Sequence, residues 1–224
     1  MLGFDTEGYE QAVPLLREAL ELSPTDASAY AALSQTYAFW AFRREIEGLE
    51  SQSLYERAYE CAETAVRLAP ERPDAHRALA IALRRGPRAD QARRRDAIRR
   101  AVELGPEDAE TWCELWRVEG YEPDHEALSK ALSLDPRLCE LHIDLGAVYC
   151  ELGRYDEAVE QLVEALKLNP RNELAYYDLA MTLDRKGERG KAAALLEKAR
   201  VLKPADPLLE YGLALLEGRD GDQG

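Results

Sequence analysis

The sequence has no run of about 18 apolar residues, so no segment reads as a membrane-spanning helix and no membrane insertion is expected. It has no CxxC pair. Its four cysteines, Cys61, Cys113, Cys139 and Cys150, all fall within helical patterns and read as reduced, semi-buried thiols of a cytoplasm-like compartment. Nothing at the N-terminus reads as a signal peptide, so the expected location is cytoplasmic. Positive charge is scarce: 29 basic residues against 43 acidic ones give a net charge of −14. Such a balance describes a soluble, self-repelling surface and argues against nucleic acid as a general partner. There is no nucleophile motif, no glycine-rich phosphate cradle and no EF-hand-like run. The expectation is therefore a protein without enzyme activity or cofactor. Cys139 and His142, three apart on one helix face, are the most ligand-like pair; two ligands do not make a zinc site, and no metal is expected.

What the chain does have is periodic. Residues 139–170 read as two short amphipathic helices. Leu141, Leu145, Val148, Tyr149 and Leu152 share one face, and Tyr155, Ala158, Val159, Leu162, Ala165 and Leu166 share another. Gly153 between them can take a left-handed turn at little cost. Pro170 closes the unit, because the residue before a proline is pushed out of the helical region. A step of 34 carries Leu145 to Leu179 and Leu213, Ala158 to Ala192, Ala165 to Ala199 and Pro170 to Pro204. The pattern Ala-x-x-Leu-x-Pro ends six such units, at 19–24, 65–70, 101–106, 131–136, 165–170 and 199–204. The proline-to-proline intervals are 46, 36, 30, 34 and 34, so three units carry insertions or deletions.

This period and its small/large pattern resemble the tetratricopeptide repeat. Leu145, Gly146, Tyr149, Tyr155, Ala158, Leu162, Ala165 and Pro170 stand where that family places its signature residues. Its large aromatic near the start of the first helix is Tyr30, Trp112 and Tyr176 in three units, and His76 and His142 in two; both histidines read as packing residues. The resemblance implies an all-α fold, a right-handed superhelical solenoid of antiparallel helix pairs with about 12 helices. A single solenoid is expected over 1–217, with a partial first repeat at 8–24, repeats at 27–70, 73–106, 107–136, 139–170 and 173–204, and a capping helix at 207–217. Residues 1–7 read as a leading loop and 218–224 as a disordered tail.

Three departures from the regular unit bear on function. The first long interval adds 12 residues and carries Phe39, Trp40 and Phe42, which either pack internally or form an exposed aromatic patch. Between Arg84 and Arg100 stand eight arginines and two aspartates, a local net of +6 that leaves −20 for the rest. A solvated outer face is the ordinary meaning of such a run, and a polyanion site the alternative. In the short fourth unit, Trp116 sits where the family usually has a small residue, and a change of pitch or a kink is expected there.

The resemblance also implies a concave groove lined by the first helix of each pair. The residues carried over onto it are Gln35, Arg77, Ile81, Arg84 and Arg117, which would make one part basic. Ile143, Ala147, Tyr177, Met181, Tyr211 and Leu215 would make the other part apolar. Family members that grip a C-terminal carboxylate use Lys and Asn at set places; here those hold Ala31, Gln35, Ala78, Glu140 and Asp144, so a receptor of that kind is disfavoured. The expected function is a protein–protein interaction scaffold or adaptor that takes a peptide or amphipathic helix of a partner protein. The alternatives are a self-assembly module, a homo-oligomer formed through the N-terminal helix, and the repeat arm of a larger enzyme or regulator.

Overall fold

The computed structural model describes residues 6–218, and among these it contains twelve α-helices and no strand. They are α1 (Thr6–Leu22), α2 (Ala27–Ile46), α3 (Gln52–Leu68), α4 (Pro73–Ala82), α5 (Gln91–Leu104), α6 (Ala109–Glu119), α7 (Glu126–Leu134), α8 (Cys139–Glu151), α9 (Tyr155–Leu168), α10 (Glu173–Arg185), α11 (Arg189–Leu202) and α12 (Pro207–Gly218). The leading segment is shorter than expected, since Thr6 is already helical, and Gly218 belongs to α12. The rest of the expected tail, 219–224, lies outside the described residues. The chain divides into two compact units, one carrying α1 to α7 and the other α8 to α12.

Each signature proline starts the next helix by two devices that recur along the chain. In four of the six copies the residue two after the proline is Asp or Asn, and it caps the following helix. Asp26, Asp108, Asn172 and Asp206 accept from backbone N–H groups of the first turns of α2, α6, α10 and α12. The second device explains why His can replace a larger aromatic. His76 Nε2, Trp112 Nε1, His142 Nε2 and Tyr176 Oη reach the carbonyls of Pro70, Pro106, Pro136 and Pro170 at 2.8, 2.8, 3.0 and 3.4 Å. What this place needs is a flat side chain with a polar tip. Of the six signature alanines, Ala65, Ala101, Ala131, Ala165 and Ala199 are buried and Ala19 is exposed.

In the first unit, α2 packs on α3 and α4, and α4 on α5. Tyr37, Leu54, Tyr55, Leu79, Leu83 and Ile98 lead its core. The inserted aromatics Phe39, Trp40 and Phe42 are half-buried: Trp40 packs against this core, and the Arg85 guanidinium lies 4.6 Å from the centre of the Phe42 ring. Trp116 is the largest fully buried side chain, taken in opposite a second helix, α7, of only nine residues. Gly86 closes the α4–α5 turn at φ +81°, and a Cβ on it would stand 2.5 Å from Tyr55 Cβ. We expect Gly86→Ala to cost about 2 kcal/mol, from a left-handed backbone and a collision with a packed ring. Urea unfolding followed by far-UV circular dichroism checks this.

In the second unit, α8 packs on α9 and α10, α9 on α10, and α12 on both α10 and α11. Its core runs from Leu162, Ala165 and Leu179 to Leu196, Leu209, Leu213 and Leu216. Helix α12 thus lays Leu209, Leu213 and Leu216 against the α10–α11 pair.

Candidate partner-binding faces

The arginine run on α5 is engaged within the fold. Arg88 and Arg93 reach back to Glu56 and Glu63 of α3 at 3.2 and 2.6 Å. Arg100 pairs with Glu71 at 3.0 Å, and Arg99 reaches forward to Glu119 of α6 at 2.8 Å. Arg85 meets Glu45 of α2 at 3.4 Å. The sequence showed eight arginines between 84 and 100; the fold sets acidic side chains of other segments opposite them. Exposed pairs of this kind contribute at most about 1 kcal/mol each, but they answer the charge that a polyanion site would need.

One pair is buried. Arg94 Nη2 donates to Glu114 Oε1 at 2.6 Å, and both side chains are almost wholly covered. Arg117 Nη1 reaches the other oxygen, Oε2, at 3.2 Å. Burial alone would raise the Glu114 carboxyl, but Arg117, Arg94 and Arg84 together hold it below the usual carboxylate range. The basic candidates are therefore engaged by acidic side chains of the fold. Arg117 contacts Glu114 directly and Arg84 acts on it electrostatically, while Arg77 pairs with Glu110 and, at 3.7 Å, with Asp108. Gln35 is buried at 9% exposure, and Ile81 packs against the core.

The apolar candidates lie on α8, α10 and α12. Ile143 is only 4% exposed and belongs to the core cluster with Leu162 and Leu179, so it is placed to support the face more than to line it. Ala147, Tyr177, Met181 and Leu215 are half-buried, and Tyr211 is 56% exposed. The Tyr177 and Tyr211 rings stack with centroids 6.3 Å apart. Two acidic residues accompany them. Asp144 on α8 and Asp178 on α10 hold the same place in successive repeats, and burial followed by the charge of Asp144 pushes Asp178 up to about 7. Periodicity could not show this pair as distinctive, because isolated carboxylates are common in so acidic a chain.

The cysteines and His142 are also accounted for. Cys61 and Cys139 are half-buried thiols that burial pushes up to about 11. His142 Nδ1 meets Gln161 at 2.8 Å while its Nε2 meets Pro136. Among the described residues no three His, Cys, Asp or Glu side chains converge as metal ligands, and no helix is long and apolar enough to cross a membrane.

Within each unit, antiparallel helix pairs pack on one another around buried alanines, the repeating arrangement of an interaction-scaffold solenoid. Tetratricopeptide-repeat family models match residues 46–109, 127–160 and 146–187, together more than half of the chain, and the chain belongs to that family. No curated protein matches it in sequence. Among solved structures, it is similar to YrrB, a TPR protein with an unusual peptide-binding site, at 22% identity and TM-score 0.51 over 88% of this chain and 96% of that one. A chain of the APC/C Cut9–Hcn1 hetero-tetramer is similar at 16% identity and TM-score 0.62, over 93% of this chain and 46% of that one. Yeast Tom70 is similar at 17% identity and TM-score 0.55, over 97% of this chain and 53% of that one. At these identities the likeness is one of fold.

Proposed function

We propose that the chain is a non-catalytic scaffold that binds a peptide or helical segment of a partner protein on the face formed by α8, α10 and α12. The observation that carries this is the exposed Tyr211 ring stacked on Tyr177, beside Met181 and Leu215, since a half-exposed aromatic pair with apolar neighbours is the composition of a binding hot spot. The reading is supported by membership of an interaction-repeat family and by the likeness in fold to a peptide-binding TPR protein. The first unit is the less suited of the two, because its arginines already have acidic partners.

Tyr211→Glu tests the face, since its exposed ring can be replaced without opening the core. We expect the variant to melt within a few degrees of the parent chain and to lose at least tenfold in partner retention from a lysate. The retained polypeptide should protect amides of α10 and α12 from hydrogen exchange. Equal retention by both chains would move the function away from this face.

A further inference from the structure

Helix α1 exposes a face that the second helix of each complete pair sets against its own first helix. Its stripe Leu15, Ala19 and Leu22, at i, i+4 and i+7, is open to solvent, with Leu15 66% and Leu22 85% exposed. Ala19 is the signature alanine, and its five counterparts are buried. Leu15 stands four residues before it; at that place the other pairs have Cys61, Ala97, Ala127, Gln161 and Leu195, all buried or half-buried. In a complete pair the cover is the first helix. His142 meets Gln161 at 2.8 Å, and Cys139 Sγ donates to the Ala165 carbonyl at 3.5 Å. Helix α12 shows the reverse. Its stripe Pro207, Glu210, Ala214 and Glu217 is exposed along its whole length. Ala214 follows Gly146 and Ala180 at steps of 34, and both of these are buried, as are Ser34, Ala80 and Trp116 at the same place in the other pairs. This place meets the second helix: Ser34 Oγ donates to the Ala58 carbonyl at 2.7 Å, and a Cβ on Gly146 would stand 2.5 Å from Leu162 Cγ. Beside Ala214 a cleft of about 270 Å³ opens between α11 and α12, lined in part by Ala193, Glu197, Leu213 and Leu216.

We propose that these two faces meet between copies of the chain: α12 of one copy pairs, as first helix, with α1 of the next as second helix, completing one repeat from two chains. The second copy is the occupant because the contact continues an interface the fold already repeats, the packing of α8 on α9 and of α10 on α11. In that register Ala214 lies against Ala12 and Leu16, the counterparts of Ala58 and Leu162, and Leu15 lies against the methylenes of Glu210, the counterpart of His142. Small residues thus fall at the close approach on both sides. The two faces differ, so the contact is heterologous and adds copies head to tail, into a ring or a filament. Apolar burial drives it. Glu18 and Glu21 of α1 and Glu210 and Glu217 of α12 share one sign, so salt strengthens the contact by screening them.

The test follows mass by light scattering over a concentration series for three chains: the unmodified one, Leu15→Arg/Ala19→Arg, and Ala214→Arg. All three positions are exposed, so the core is left intact, which circular dichroism checks. We expect the unmodified chain to gain mass with concentration, and more steeply at higher salt. Each variant alone should stay at the 25.2 kDa of one copy. Their equimolar mixture should reach two copies and stop there, because each variant keeps the end that the other has lost. An unmodified chain that stays at one copy up to its highest soluble concentration overturns the inference. So does a variant that still associates by itself, or a mixture that never reaches two copies, since either result requires α1 against α1 or another contact. Tyr211 is the same in all three chains, so the partner-binding face stands whatever the outcome.

Discussion

Glu114→Gln is expected to destabilise the α1–α7 unit by about 3–5 kcal/mol, the cost of leaving a buried cation without its counter-charge. The Arg94 side chain is only 7% exposed, and Arg117 loses the charge of its partner on the other oxygen. Arg94→Leu alone should cost a comparable amount, since it strands the carboxylate instead. The double change Arg94→Leu/Glu114→Leu should recover more than half of either loss, because apolar side chains of similar volume remove both desolvation penalties. Guanidinium unfolding of the single and double variants gives the coupling, and hydrogen exchange of α5 and α6 assigns it to this unit. Full stability in Glu114→Gln would mean that the pair adds nothing. The pH dependence has a fixed sign. Glu114 is held below its ordinary value in the folded state, so its contribution is complete above the unfolded-state pKa and is lost as pH falls below that value.

Asp178→Asn should act in the opposite direction. The folded-state pKa is raised from 3.8 to about 7, so the folded chain binds this proton more tightly than the unfolded one does. Stability is therefore lost as pH rises from about 4 to 7 and stays at the lower level above that. A shift of this size is worth ~4 kcal/mol at most; with local relaxation and some water access, we expect Asn to stabilise the α8–α12 unit by roughly 2 kcal/mol at pH 8 and by almost nothing near pH 4. Thermal melts of the two chains at both pH values decide it, and an equal melting difference at both would show that charge is not the cause.

The departures between sequence and structure have specific causes. The Arg-rich stretch on α5 had the composition of a free basic face, but Glu56 and Glu63 stand some 30 residues before their arginine partners and Glu119 stands 20 after Arg99. Helix periodicity describes one helix at a time and carries no information about which acidic side chain of a neighbour lies opposite. Ile143 and Tyr211 hold equivalent places two repeats apart, yet one is buried and the other half-exposed. Exposure depends on what packs across a position as well as on its repeat phase. Internal packing of Phe39, Trp40 and Phe42 was one of two readings open in the sequence; what periodicity could not name was their partners, such as Arg85 for Phe42, which lie on other elements.

The amino-acid sequence by itself determined that this protein is an all-helical repeat chain. The 34-residue step, the six Ala-x-x-Leu-x-Pro signatures and the small residues at close approaches are local, periodic properties, and each repeat needs its neighbour to bury its stripe. Only the tertiary structure decided which side chains meet. It set acidic side chains distant in sequence against the arginines of the first unit, and it buried Asp178 where the charge of Asp144 is felt. Charge interactions depend on distance and burial, which repeats brought together by folding create and which the linear order of residues does not contain.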